Sequence, residues 1–503
     1  QTYTYHYEFS GVDATGKAHA TNVLGVTVVV QPAGQPIITF DGFPETTIIE
    51  GDDMSKEIEA KFEAEGIIDE TKTTLTINDG VDDKVYNILT DGTVLYNDWG
   101  ISVESGNDAT ATLKFPKVFS SRLEAPMEGE KTFTYKLDLA DKKGRSFPTL
   151  TKTLTVKAPV FELTPSANGG DAFACRAFLR AKVSDGTHPD NLKFQWRKVG
   201  NGSWNNCKNH TYQTDEICDT LKNLTSGGQQ YEIRAIYREK EKRVTEPIVI
   251  TTENEFALEN GDFEDDWSSR TISEMINGAN IITSRVSLTA DDPKSWATVN
   301  TKTFAEESNV NSTYNRVPST MKYTDGYNGT AVRLRTVGWD NSAGNTASIC
   351  YHAAAGKLFL GSYSFDHNTN KDTYDYGIPF TARPSLVKAQ YKYTPYSGDS
   401  FKAWVVILNK ENGIETELGR GQLIKGDALS NWTELTFPII YTNLTKKATH
   451  MYIVFSSSAN CSENESTESD KLKELLDKGT EVDGYTHHEG SNLYIDEVEL
   501  IYE

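Results

Sequence analysis

The stretches TYTYHYEFSGVDATGKAHATNVLGVTVVVQPAGQP (2–36) and TFTYKLDLADKKGRSFPTLTKTLTVKAP (132–159) carry one pattern twice. Each holds a strand in which large apolar residues alternate with Thr or charge, then a polar turn containing Gly, a second strand and a closing Pro. A period of two places alternate side chains on one face of a pleated strand, so each stretch predicts an antiparallel hairpin with one buried face. The same signature recurs in TTLTIND (73–79) and TATLKF (110–115), while helical periodicity is scarce. The chain therefore predicts an all-β protein built from sandwiches.

The two copies lie about 125 residues apart, the length of one immunoglobulin-like sandwich. At about 150 residues per domain, 503 residues predict three to four units. Residues 1–33 read as the final strands of an immunoglobulin-like domain that begins upstream, and 34–158 as a complete one. Residues 159–255 read as a fibronectin type III-like sandwich. There, LKFQWRKVG (192–200) sends Trp196 into the core, and LKNLTSGGQQYEIRAIY (221–237) offers Tyr231 as a corner tyrosine. From 256 to 503 the text changes, holding most of the 8 tryptophans, and predicts a jelly-roll sandwich. One helix is expected over 468–479, with Leu472, Leu475 and Leu476 on one face and Gly479 as its stop. The fold class is all-β: tandem immunoglobulin-like sandwiches followed by a C-terminal jelly roll.

A net charge of −22 and the lack of any basic run with interleaved aromatics argue against nucleic acid and anionic membranes as partners. No stretch approaches the ~18 apolar residues of a membrane span. The abrupt opening in mid-strand leads us to expect a signal or lipid anchor upstream. Cys207 and Cys218 are close enough in sequence to bridge a hairpin, and Cys350 with Cys461 could form a long-range pair. The alternative is buried free thiols.

GxSxG, HExxH and GxxxxGK[ST] are absent, which removes the usual sequence support for acyl transfer, zinc proteolysis and nucleotide chemistry. Glycoside hydrolysis needs two carboxylates about 5–9.5 Å apart. Glu497 and Glu499 in YIDEVELIY share a strand face, yet with Val498 and Leu500 turned inward they read better as solvent-facing. Sugar binding without chemistry needs rings to stack on a pyranose and polar groups for its hydroxyls. TVGWDNSAGN (336–345), FDHNTNKDTYDYGIPFTARP (365–384) and YKYTPYSGDSF (391–401) supply both. The candidate rings are Trp339, Tyr374 and Tyr376, with Asp340, Asp375, Arg383 and Asp399 as polar companions. Each of these could equally be structural. Asn260, Asp262, Glu264 and Asp496, from the first and last strands of the C-terminal block, are candidate ligands for a structural Ca2+. Turn formation and edge protection are the competing explanation for them.

NGDFEDDW (260–267), PKSWATVN (293–300), GYNGTAVRLRT (326–336), YGIPFTARPSLVKAQYKYTPYSGDSF (376–401), NWTELTFPIIY (431–441) and GSNLYIDEVELIY (490–502) occur in this order. Together they make the C-terminal block resemble the "putative carbohydrate metabolism domain" family of secreted or surface-anchored bacterial lipoproteins. The resemblance implies a jelly roll similar to carbohydrate-binding modules, a secreted or outer-membrane location, and polysaccharide or oligosaccharide as ligand. Partner proteins of a glycan-uptake system go with it. The charged stretch 463–484 departs from the family pattern. The leading expectation is a non-catalytic glycan-binding protein with the upstream sandwiches as spacers. The alternatives are a glycoside hydrolase or lyase, using acidic residues of 365–400 and Glu489, and an adhesin-like surface protein.

Overall fold

The computed structural model describes residues 1–31, 34–278, 281–304, 318–339, 352–366, 369, 371–460, 480–482, 485–487 and 489–503. Strands dominate it, and the all-β expectation holds. The chain divides into two compact units, one formed by Gln1–Phe161, Val183–Leu192 and Ile236–Val244, the other by Glu162–Lys182, Lys193–Ala235 and Thr245–Glu503.

The first unit opens with the predicted hairpin, Thr2–Tyr7 paired antiparallel with Leu24–Val29. A two-sheet sandwich follows. One sheet runs in the order Ser102–Asn107, Thr110–Phe115, Ile58–Glu63, Ile37–Asp41, and the other holds Glu130–Ala140 between Ser146–Lys157 and Thr74–Asn78. Phe62, Leu75, Phe115, Tyr135 and Val156 fill the space between them. A helix over Gly92–Trp99, which no sequence signal announced, packs Leu95 and Trp99 into this core, and its C-cap Gly100 takes the left-handed conformation.

Further along the chain the strands Leu192–Lys198 and Gln230–Tyr237, most of whose residues belong to the second unit, run as neighbours in a sheet. Tyr231 is the expected corner residue: it is buried, and its hydroxyl accepts a hydrogen bond from the Thr225 backbone N–H at 2.9 Å. Trp196 is half-buried rather than central, packed against Tyr231 with ring centroids 5.8 Å apart, while Phe194 is buried in the core. Cys175, Cys207 and Cys218 are free thiols, so the hairpin bridge is not made. Cys350, Cys461 and the helix expected over 468–479 lie outside the described residues.

The C-terminal sandwich occupies the rest of this unit. One sheet runs Ala297–Thr298, Lys357–Phe359, His450–Ser456, Phe401–Glu411, Ile414–Lys425, Ile440–Tyr441, with Ile378–Pro379 added beside His450–Ser456. The second, six-stranded sheet runs Thr320–Tyr323, Ala331–Trp339, Glu489–Ile501, Leu386–Thr394, Leu429–Pro438, with His352–Ala354 beside Ala331–Trp339. Phe401, Ile453, Tyr391, Tyr393, Leu493 and Ile495 interlock between the sheets. The segment beginning at Asn260 lies along the last strand, where the Gly261 carbonyl accepts the Val498 N–H at 2.7 Å. A Cβ at 261 would meet the Val498 carbonyl oxygen at 2.3 Å, so only glycine permits this approach.

Candidate functional site

Packing decides which side chains this sandwich turns outward. In YKY the rings of Tyr391 and Tyr393 enter the core, which puts Lys392 on the outer face of the six-stranded sheet. In LYI, Leu493 and Ile495 point in and Tyr494 points out. In VRL, Val332 and Leu334 are buried and Arg333 is outside. The register aligns Arg333 with Tyr494 and Tyr494 with Lys392, so three strands contribute one cross-strand row.

Aromatic rings surround the end of that row. The Lys392 Nζ lies 4.5 Å from the ring centroid of Trp432, 4.8 Å from that of Tyr323 and 5.3 Å from that of Tyr494. Tyr323 and Tyr494 pack at 4.7 Å, and Lys392 donates to the Tyr323 hydroxyl at 3.4 Å. All three rings remain half-buried, so each keeps a solvent-facing part. Beside them, Arg333 donates to Asn492 Oδ1 at 2.8 Å and to Glu489 Oε1 at 2.7 Å, and Arg335 donates to Glu489 Oε2 at 2.9 Å. Burial by itself would raise the Glu489 carboxyl, but Arg335 and Arg333 hold it below the ordinary range. Glu489 is thus a fixed anion with its lone pairs engaged, the opposite of what a general acid requires. Further along the face, Lys388, Gln390, Glu434 and Glu497 line an open hollow of about 510 Å³.

The residues singled out from the sequence distribute differently. Tyr374 and Tyr376 come together on the hairpin Gly361–Asp366/Lys371–Tyr376, packed on the outer side of the other sheet. Their rings stack on each other at 5.3 Å and Tyr376 stacks on Tyr452 at 5.0 Å, so ring faces are spent within a column. Asp375 is exposed, and Lys357 donates to the Tyr374 hydroxyl at 3.1 Å. Trp339 ends the strand Ala331–Trp339, and Asp340 lies outside the described residues.

Arg383 and Asp399 are not open to a ligand. Arg383 is 1% exposed; its guanidinium pairs with Glu253 at 2.8 Å, donates to the Gly170 and Ala172 carbonyls and lies 3.9 Å over the Phe173 ring. A buried guanidinium persists only where its donors are met, and here it ties the C-terminal sandwich to the one before it. Asp399, 2% exposed, accepts from Ser491 at 2.8 Å, Ser458 at 3.1 Å and Asn460 at 2.6 Å. It fixes three chain segments to one another.

The proposed calcium ligands meet main-chain donors. Asp496 is fully buried; its carboxylate accepts the N–H groups of Tyr327 at 2.8 Å, Asn328 at 3.1 Å and Glu497 at 2.8 Å. Burial pushes its pKa up to about 6. Glu264 accepts the Thr330 N–H, and Asn260 bonds Asp265 N–H and the Lys294 carbonyl. Asp262 is exposed and accepts the Glu264 N–H at 3.4 Å. Both Asp496 oxygens and one Glu264 oxygen thus face N–H groups, and among the described residues there is no group of 3 or more His, Cys, Asp or Glu that could hold a metal ion. In this arrangement Glu264 and Asp496 act as clamps on the turn 326–330.

Residues 262–417 match the family model of the "Putative carbohydrate metabolism domain". The C-terminal domain is thereby a carbohydrate-related β-sandwich. The match includes Tyr323, Arg333 and Lys392 but ends before Trp432, Glu489 and Tyr494. Among curated proteins nothing matches the chain. Of solved structures, one described as a putative glycoside hydrolase from Bacteroides vulgatus is 18% identical over 49% of this chain and 98% of its own, with a TM-score of 0.30. A surface glycan-binding protein from Prevotella bryantii is 9% identical over 93% of this chain and 99% of its own, with a TM-score of 0.20. Such TM-scores carry no argument about the site. No helix among the described residues is long and apolar enough to cross a membrane.

Neither ring face nor charge at Tyr323, Lys392, Trp432 and Tyr494 was singled out from the sequence, although the strand period held the signal. Once Tyr391, Tyr393, Leu493 and Ile495 are assigned inward, their neighbours must face out.

Proposed function

We propose that the protein binds carbohydrate without cleaving it, and that the glycan lies across the outer face of the six-stranded sheet of the C-terminal sandwich. The supporting observation is the convergence of Tyr323, Trp432 and Tyr494 around Lys392, with Asn492 and the Arg333–Glu489 pair alongside. Half-buried rings give a pyranose an apolar platform, and the Arg333 guanidinium, with N–H donors beyond those it gives Asn492 and Glu489, bonds its hydroxyls. The family match of residues 262–417 supports the ligand class. On this reading the upstream sandwiches are spacers, the protein works outside the cell or anchored at its surface, and other proteins of a glycan-uptake system are its partners. A calcium ion is not required by it.

The test is binding of the full chain to a panel of polysaccharides by affinity electrophoresis and calorimetry, with product analysis of every polymer bound. Trp432→Ala and Tyr494→Ala should each weaken binding about 10- to 100-fold, the loss of one central aromatic anchor, and leave the polymer intact. Loss in Tyr376→Ala with Trp432→Ala unaffected would move the site to the tyrosine column. Shortened products would replace the binding reading by the hydrolase or lyase reading.

A further inference from the structure

We propose that the glycan recognised by this face is acidic, carrying carboxylates of the uronic acid type. The inference rests on the glycan-binding reading above and adds the charge of the ligand. It starts from the unpaired state of Lys392. The chain has 72 Asp and Glu against 50 Lys and Arg, so carboxylates are in surplus. Even so, among the described residues no carboxylate lies within 4.0 Å of the Lys392 Nζ. Of the three N–H donors on an ammonium, one meets the Tyr323 hydroxyl at 3.4 Å, and the others have no protein acceptor among the described residues.

The same strand supplies the control. Lys388, four residues earlier on the same outer face, pairs with Glu434 at 3.3 Å and Glu499 at 3.9 Å. Lys392 is instead held by three rings. Cation–π attraction offsets part of the cost of desolvating an ammonium while leaving its hydrogen-bonding capacity open. Such an ammonium is oriented but unsatisfied.

A second positive group borders the same ring. The Arg333 guanidinium lies 5.8 Å from the Tyr494 centroid, so Tyr494 is flanked by Lys392 and Arg333 from the two strands paired to its own. Around this row the three cations Lys392, Arg333 and Arg335 stand against two carboxylates: Glu489, whose oxygens both Arg residues already engage, and Asp325, which accepts the Tyr323 hydroxyl at 3.4 Å. The excess of positive charge is local, and it ends toward the hollow, where Glu434, Glu497 and Glu499 stand. A ring platform that carries surplus cations suits a sugar whose carboxylate reaches Lys392 as its ring stacks on Trp432 or Tyr494.

The experiment uses the full chain against polygalacturonate and its methyl-esterified form, and against dextran sulfate and dextran. Polygalacturonate should bind, its methyl ester at least about tenfold more weakly, with affinity falling as salt rises from about 0.05 to about 0.5 M. Lys392→Met, which keeps the apolar stem, should lose about tenfold for the acidic polymer, and Lys392→Arg should restore most of it. Melting curves of each variant verify folding. Binding to dextran sulfate but not dextran, and not to polygalacturonate, would assign the anion to sulfate and overturn the uronate assignment. If neutral and acidic polymers bind alike, Lys392→Met is silent and Trp432→Ala abolishes binding, the charge inference falls while the glycan face stands. If Trp432→Ala has no effect, or nothing in this set or in the polysaccharide panel binds, the glycan face itself falls.

Discussion

Two hairpins of the first unit share a register and differ in what covers them. Thr2–Tyr7/Leu24–Val29 pairs Tyr3 with Val28, Tyr5 with Val26 and Tyr7 with Leu24; Glu130–Ala140/Ser146–Lys157 pairs Phe133 with Leu154, Tyr135 with Lys152 and Leu137 with Leu150. The turns agree in their main-chain hydrogen bonds. Asp13 Oδ1 accepts the N–H groups of Thr15 and Lys17, and Asp141 Oδ1 those of Lys143 and Arg145. Gly16 and Gly144 sit at φ 84° and 81°. Yet Tyr5 is 50% exposed and Tyr135 is fully buried. Strand pairing and turn geometry are local properties that both sequences specify; burial is supplied by the facing sheet, which only the second hairpin meets among the described residues.

That contrast can be broken by substitution. Tyr135→Ala should cost about 3–5 kcal/mol of unfolding free energy in a urea titration, the range for deleting a large buried ring. A comparable cost for Tyr5→Ala would mean that the first hairpin is covered in solution and would end the contrast. Gly144→Ala and Gly16→Ala should each cost their own hairpin about 1–2 kcal/mol, because a Cβ meets nothing within 4 Å at either site and only the left-handed backbone objects. Unequal costs, read by hydrogen exchange of the flanking strands, would show that the turns are not equivalent.

Smaller effects sharpen it. The Tyr135 hydroxyl is buried with no hydrogen-bond partner among the described residues, so Tyr135→Phe should be neutral or stabilising by up to about 1 kcal/mol. Acid should act on both turns alike. Hydrogen bonds from Thr15 and His19 hold the Asp13 carboxyl well below the usual range; Asp141, despite burial, is held low by Arg145 and its turn N–H groups. A carboxyl depressed in the folded state contributes stability that is complete above its unfolded pKa, near 4, and lost as pH falls through the folded value. Asp141→Asn should therefore flatten the decline in melting temperature below about pH 4. Asp496 has the opposite sign: its carboxyl keeps its proton up to about 6 when folded, so its contribution is greatest below about 4 and is lost as pH rises through 6. The smallest change expected is that of Tyr5→Ala, within about 0.5 kcal/mol.

Much of the fold was legible because sandwich strands announce themselves by a period of two and by turn residues. The repeat, the corner role of Tyr231 and the inward turn of Val498 and Leu500 all follow from that period. The helix Gly92–Trp99 was not legible, since its eight residues carry no acidic first turn and no basic last turn. The site was read less well. Loop-like aromatic clusters drew attention to Tyr374 and Tyr376, whose rings stack on one another, and to Arg383 and Asp399, whose polar groups are consumed inside the fold.

By itself the sequence determined an all-β chain, two hairpins of one strand pattern with polar, Gly-containing turns, and a C-terminal block with the segments of a carbohydrate-related family. Those features depend on backbone periodicity and on bonds between near neighbours. Tertiary structure alone decided that Lys392 stands among three rings with no carboxylate of the described residues within 4.0 Å, while Arg383, 130 residues from Glu253 in the chain, closes on it in the interior. The physical reason is that ring contacts and ion pairs form between residues far apart in the chain, and which of them meet is set by sheet order and register.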